Sequence, residues 1–279
     1  MHLNNNKTHT IYNILHSKQI SYLDAKVIIK HVLSYSDAQI IINDQQILNS
    51  IDYNKIQTLI EQRILGTPIA YITSYKEFYS RNFIVSTDTL IPRPETEFLV
   101  DFIITNTNHK NQKPLNILDL ATGSGCIAIT SKLELKDLVN VYATDISDAA
   151  LNIAKQNAKQ LNADVQFFLS NWYNNVPPLK FDIIVSNPPY IAINDQHLNN
   201  LQHEPQIALT DFADGLTCIK HIISGAKNYL ATNGIIAIEH GASQKDSVNE
   251  LFMIYNFHNI HTIKDYANLD RITYAHKLN

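Results

Sequence analysis

Leu115-Asn116-Ile117-Leu118-Asp119-Leu120-Ala121-Thr122-Gly123-Ser124-Gly125-Cys126, followed by Ile127-Ala128-Ile129, decides the fold. The apolar run reads as a buried strand, the glycine pair as a turn and the apolar residues after it as a helix. Glycines let a backbone come close to a ligand, and the helix N-terminus beyond them offers unpaired N–H groups. The chain has 7 glycines in 279 residues, and two of them stand in this turn. Val139 to Asp145 reads as a second strand, ending in an acid about 20 residues past the turn, where a carboxylate grips a ribose hydroxyl pair. Strand, turn, helix, strand and acid make a βαβ unit. Outward from it the pattern keeps alternating: a helix over Ala149 to Leu161, strands at Val165 to Leu169 and Phe181 to Val185, a helix from Leu216 to Leu230, a strand from Gly234 to Glu239, and a C-terminal helix and strand pair. That alternation predicts an α/β fold with a doubly wound sheet. By itself Gly123-x-Gly125-x-x-Ala128 also fits the looser dinucleotide fingerprint. A nicotinamide or flavin cofactor and S-adenosylmethionine are equally compatible with it.

The tie is broken by Asn187-Pro188-Pro189-Tyr190, directly after the apolar strand Phe181 to Ser186. A planar amide-like nitrogen gives its lone pair to the adjacent π-system and is a poor nucleophile. It needs two acceptors for its N–H groups and a flat surface to hold it. The Asn187 side-chain oxygen is one acceptor. The Pro188 carbonyl, in a segment with two fixed φ angles and no competing proline N–H, is a second. Tyr190 offers the stacking face. A Pro-Pro loop that merely ends a strand is the bland reading. It loses ground here because the tetrapeptide has no role in hydride transfer, whereas it suits the methyl end of an adenosylmethionine site.

Upstream, residues 1–74 carry short amphipathic helical patterns, clearest over Ala25 to Leu33 and Ile56 to Leu65. Residues 75–90, with Phe78, Tyr79, Phe83, Ile84 and Val85, predict a β-hairpin linker. Pro92 and Pro94 then force an extended entry into a catalytic domain over residues 91–279.

Across nearly its whole length the chain resembles the glutamine-N5 methyltransferases that modify the Gly-Gly-Gln motif of bacterial peptide chain release factors. The resemblance is carried by Gly66 to Ile72, Leu90-Ile91-Pro92-Arg93-Pro94-Glu95-Thr96-Glu97, the glycine turn, Asn171-Trp172, Asn187 to Tyr190, His203-Glu204-Pro205 and Ala213 to Leu216. Asn-Pro-Pro-Tyr is shared with adenine-N6 methyltransferases; the Ile-Pro-Arg-Pro-Glu-Thr-Glu run is much narrower. A sister enzyme acting on a ribosomal-protein glutamine typically lacks that run. The resemblance implies a Rossmann-like class I S-adenosylmethionine-dependent methyltransferase domain behind a helical domain that docks the release factor. It implies cofactor binding by Ala121, Thr122, Gly123, Ser124, Gly125, Asp145, Trp172 and Asn187. Asn187, Pro188, Pro189 and Tyr190 would bind the substrate, with Asn187, Pro188 and Tyr190 catalytic. Two positions depart from the family pattern. Ala121 replaces the usual glycine, which costs roughly 1 kcal/mol if its φ is positive. Asn171 replaces the usual Asp before Trp172, which removes a charge-assisted bond to the adenine amino group.

The remaining composition sets bounds. With 45% hydrophobic residues the chain can bury a real core. No run approaches a membrane span, and no basic region precedes an apolar stretch, so a cytoplasmic monomer without a membrane partner is expected. Cys126 and Cys218 read as small buried apolar residues. The net charge of −4 disfavours a direct nucleic-acid partner. The 12 histidines show no two-histidine zinc spacing, since position 207 is Ile, so no metal is expected. Glu239-His240-Gly241 could be an acid/base pair but is read as the end of a strand. An adenine-N6 methyltransferase, a glutamine methyltransferase of a ribosomal protein and a non-catalytic cofactor-binding protein remain the alternatives.

Overall fold

The computed structural model describes residues 9–107 and 113–278. Residues 1–8 of the expected helical domain lie outside them. The chain divides into two compact units, Met1–Tyr75 and Lys76–Asn279.

The first unit contains α1 (Ile11–Leu15), α2 (Tyr22–Leu33), α3 (Asp37–Ile42), α4 (Ser50–Ile64) and α5 (Ile69–Thr73). Side-chain caps set where the first four begin: the oxygens of Thr10, Ser21, Ser36 and Asn49 each accept the backbone N–H three residues on. Ser21 and Asn49 thereby start α2 and α4 earlier than their apolar periodicity alone suggests. Ile28, Ile29, Ile40, Ile56 and Ile60 fill the core between them.

The second unit begins with the hairpin β1 (Tyr75–Phe78) and β2 (Arg81–Ile84). Phe78 and Phe83 meet edge to face at 5.9 Å and are fully buried in one apolar cluster with Leu99, Ile103 and Ile129. The hairpin is therefore packed as part of this unit's core. Next come α6 (Glu97–Asn106), β3 (Leu115–Leu120), α7 (Cys126–Leu135), β4 (Val139–Asp145), α8 (Asp148–Leu161), β5 (Val165–Leu169) and β6 (Phe181–Ser186). After these follow α9 (Thr217–Tyr229), β7 (Leu230–Glu239), α10 (Lys245–Ile254), β8 (His258–Lys264) and β9 (Asp270–His276). The strands form a seven-stranded sheet in the order β5-β4-β3-β6-β7-β9-β8. It is parallel except for β9, which runs antiparallel to both neighbours. β7 starts at Leu230, earlier than the predicted Gly234, because Leu230 already pairs with Phe181.

The topology fixes where a ligand goes. From β3 the chain moves to β4 on one side and later to β6 on the other, so a crevice opens at the carboxyl ends of β3 and β6. Leu120 pairs with both Thr144 and Ser186. Ala121, Asp145 and Asn187 are thus the next residues on three adjacent strands. Ser186 also pairs with Ile238, which puts Glu239 at the next position on the far side of Asn187.

Candidate active site

The turn after β3 is built by its polar side chains. Ala121 has φ +58°, and the Thr122 N–H donates to the Thr144 carbonyl at 2.9 Å. The Thr122 hydroxyl donates to Asp119 Oδ2 at 2.6 Å, and the Gly123 N–H to Asp145 Oδ2 at 2.8 Å. The two glycines serve different ends. A Cβ on Gly123 (φ +56°) would meet nothing within 4 Å, leaving its face open to a ligand; one on Gly125 (φ +81°) would strike Ile129 Cδ1 at 2.8 Å and Ala154 Cβ at 3.1 Å. Gly125 lets α7 pack against α8. Buried Asn157 ties that junction to the hairpin: its Nδ2 donates to the carbonyls of Ser124 and Ile84, each at 2.9 Å.

A cavity of about 310 Å³ lies over this turn, lined by Ala121, Gly123, Asp145, Asn171, Trp172 and Asn187 among others. Asp145 is braced inside it, accepting from the Gly123 and Ser147 N–H groups at 2.8 and 2.9 Å while burial pushes its carboxyl upward. Thr122, Ser124 and Gly125, expected as cofactor residues, do not line it. Thr122 is turned to Asp119, and Ser124 and Gly125 are buried in the packing of the turn.

A second cavity of about 220 Å³ is lined by Leu90, Arg93, Pro188, Tyr190 and Leu209. Asn187 lines both cavities. Its Nδ2 donates to Thr96 Oγ1 at 3.0 Å, which leaves Oδ1 as an acceptor. Tyr190 is anchored by its carbonyl, which accepts from Gln244 Nε2 at 2.9 Å, and its hydroxyl lies 3.5 Å from Glu239 Oε1. Pro189 lines the larger cavity. The structure thus places Asn187 and Pro189 with Ala121, Gly123 and Asp145 around the larger cavity, and Asn187, Pro188 and Tyr190 around the smaller one.

Several residues of this site stand in motifs the sequence marks, but their roles come only from the fold. Arg93 lines both cavities and forms an ion pair with the buried Glu204, whose Oε2 accepts the Ile91 N–H at 3.0 Å. Glu97 Oε1 accepts the Tyr79 N–H at 2.7 Å. The Arg93 to Glu97 run therefore staples three segments: Arg93 holds the loop after β6, Thr96 the Asn187 amide and Glu97 the hairpin. Asp211 fixes the return of that loop by accepting from Ala213, Gly215 and Thr217 N–H groups at 2.8–2.9 Å. Glu239 and His240 are no acid/base pair. The His240 ring is tied to the Gly241 carbonyl and to Thr273 Oγ1, at 2.9 and 2.8 Å, while Glu239 faces Tyr190.

A turn with an open glycine face, a braced carboxylate at the next strand end and an indole beyond fit a nucleoside-bearing cofactor. The carboxamide on the shared wall fits an acceptor nitrogen brought from the second cavity. Residues 94–211 match the family model for the methyltransferase small domain, and residues 11–73 that for the PrmC N-terminal domain. A release factor glutamine methyltransferase from Neisseria gonorrhoeae is 39% identical over 90% of this chain and 92% of its own length. One from Buchnera aphidicola subsp. Schizaphis graminum is 44% identical over 91% of this chain and 92% of its own. A solved methyltransferase from Pyrococcus furiosus shares the fold at TM-score 0.56, 16% identical, covering 78% of this chain and 98% of that one.

Proposed function

Because this chain belongs to the release factor glutamine methyltransferases, we propose that it methylates N5 of the glutamine in the Gly-Gly-Gln motif of peptide chain release factors. It is an S-adenosylmethionine-dependent methyltransferase of class I fold. The observation that supports the substrate reading is the place of Asn187, on the wall common to the two cavities.

S-adenosylmethionine supplies a methyl group already activated on a sulfonium. The backbone at Ala121 and Gly123, with Asp145, Trp172 and Asn187, would hold it in the larger cavity. The protein's share of the work is orientation. Asn187 Oδ1 and the Pro188 carbonyl accept the two N–H groups of the glutamine amide, Tyr190 packs on its plane, and the nitrogen lone pair is turned toward the methyl group. As charge develops on the amide, those acceptors bind it more strongly than in the ground state. Held in line, the amide nitrogen would take the methyl group as its bond to sulfur breaks, and the N–H proton thereby made strongly acidic would pass to solvent, so no strong base is needed. Residues 1–74 dock the release factor, and residues 75–90 tie that docking to the site. Ile42 and Ile51, each 78% exposed in the helical unit, supply apolar surface for it. Among the described residues no helix is long and apolar enough to cross a membrane. The protein works as a cytoplasmic monomer with no nucleic-acid partner of its own.

The test is acceptor choice. Full-length release factor, ribosomal protein and bulk RNA are offered together with methyl-labelled S-adenosylmethionine, and label is expected in the release factor alone. Label in RNA would replace this reading with adenine methylation.

A further inference from the structure

Three large apolar side chains stand half-exposed on the wall of the larger cavity: Ile146 just past β4, and Ile207 and Phe212 on the loop after β6. Apolar surface left open to water inside a concave site is surface that a ligand covers. Phe212, at 57% exposure, is the one the backbone must strain to present. Its φ is +59°, in the left-handed region where a Cβ crowds the following carbonyl. The surrounding bonds leave the loop little choice. The Phe212 N–H donates to Oγ1 of the buried Thr210 at 3.0 Å, and Asp211 accepts from Ala213, Gly215 and Thr217 on the far side. Gly215 lies so close to the Tyr190 carbonyl that a Cβ there would stand 2.4 Å from its oxygen. A strained position that its neighbours over-determine, carrying a large ring into a cavity, is the mark of a ligand contact.

The path of the chain says which end of the cavity the ring serves. Asp211 ties the loop to Thr217, the first residue of α9, and Cys218 beside it lines the same cavity as Trp172. The Trp172 indole in turn lies 6.1 Å from the His221 ring on α9. Phe212 therefore belongs to the Asn171 and Trp172 end, where the adenine of the cofactor is expected. An adenine has two flat, uncharged faces, and an aromatic ring covers such a face best. We infer that Phe212 is a further cofactor-binding residue: its ring covers the adenine of S-adenosylmethionine, held there by the strained loop after β6.

This inference rests on reading the larger cavity as the cofactor's. The test is calorimetric titration of full-length wild type, Phe212→Ala, Phe212→Gly, Phe212→Tyr and Asp145→Asn with S-adenosylmethionine and, separately, with adenosine, which has the purine but no methionine. KM for a full-length release factor is measured beside it at saturating cofactor. Phe212→Ala is expected to weaken both ligands by about 5- to 150-fold, the cost of one lost aromatic–base stack, and to leave that KM unchanged. Phe212→Tyr keeps the ring and with it the affinity. Phe212→Gly loses as much affinity as Phe212→Ala yet, without ligand, melts higher than it, because glycine relieves the positive φ. Asp145→Asn, which removes the carboxylate set for the ribose, weakens both ligands as well. A wild type that ignores adenosine, adenosine bound normally by Phe212→Ala, a tyrosine variant as weak as the alanine one, or an effect on the release factor KM alone would each overturn the inference. Full affinity in both Asp145→Asn and Phe212→Ala would bring down the cofactor placement, and this inference with it. A weakened Asp145→Asn beside a normal Phe212→Ala sinks the inference alone.

Discussion

Ala121 holds φ +58° without being a glycine, between a strand that must end and a turn that must open. A β-carbon there costs roughly 1 kcal/mol, partly offset by the greater freedom glycine has in the unfolded chain. Ala121→Gly is accordingly expected to raise stability by about 0.5 kcal/mol and to tighten S-adenosylmethionine binding, read by denaturant melts and calorimetry. Asn187→Ala is expected to lower kcat by about 10²–10³-fold, the range for losing a group that binds developing charge, and to leave cofactor affinity nearly intact. Steady-state kinetics beside a binding titration separates the two effects. At this scale Asn187, Asp145 and the glycines are legible because each ends or follows a strand in sequence. That Thr96 holds the Asn187 amide and Glu239 faces Tyr190 is not, since these contacts depend on which elements lie side by side, and local pattern carries no such order. The sign of φ at Ala121 is likewise set by tertiary hydrogen bonds such as that from the Thr122 N–H to the Thr144 carbonyl.

Among elements, the strand–turn–helix opening the sheet was legible from hydrophobic pattern and glycine placement, and so was the alternation after it. The hairpin was legible as well; what pattern did not carry is that Phe78 and Phe83 pack into the core of the second unit. The two glycines of the turn offer a contrast that tests how it works. Gly125→Ala adds a Cβ 2.8 Å from Ile129 and forces φ +81° on alanine, so it is expected to destabilise by about 1–3 kcal/mol. Gly123→Ala carries the φ strain but has open space, so most of its effect should fall on cofactor affinity. Thermal melts with and without cofactor distinguish them. The loop after β6 depends on Arg93 in the same way. Arg93→Ala leaves the buried Glu204 without its half-exposed cation and should cost about 1–3 kcal/mol, the usual penalty for a buried group left without its partner.

For the molecule as a whole, burying Glu239 inside the sheet makes stability depend on pH. Its ordinary value of 4.5 rises to about 7 in the fold, so between those values the folded chain keeps a proton that the unfolded chain has given up. Stability from this group is therefore lost as pH rises through that window and is level above it. Asp119, raised to about 7 by burial, acts in the same sense, and His240, lowered by burial, in the opposite one. Comparing wild type with Glu239→Gln cancels both. The variant's advantage in denaturant melts is expected to grow by on the order of 1 kcal/mol or more from about pH 4.5 to pH 7. The helical unit adds a test of docking. Ile42→Ser with Ile51→Ser should raise KM for a full-length release factor several-fold and leave cofactor affinity unchanged.

The kinetic effects among these depend on one chemical event, a methyl group arriving on one amide nitrogen. Full-length release factor and its Gln→Ala form, altered only in the Gly-Gly-Gln motif, are incubated with methyl-labelled S-adenosylmethionine and the protein, and the label is located by peptide mass spectrometry. A single methyl on that glutamine side chain, absent from the Gln→Ala form, is the result expected. Label elsewhere on the release factor, or equal label in the Gln→Ala form, would contradict the assignment of Asn187 and its neighbours to a glutamine amide.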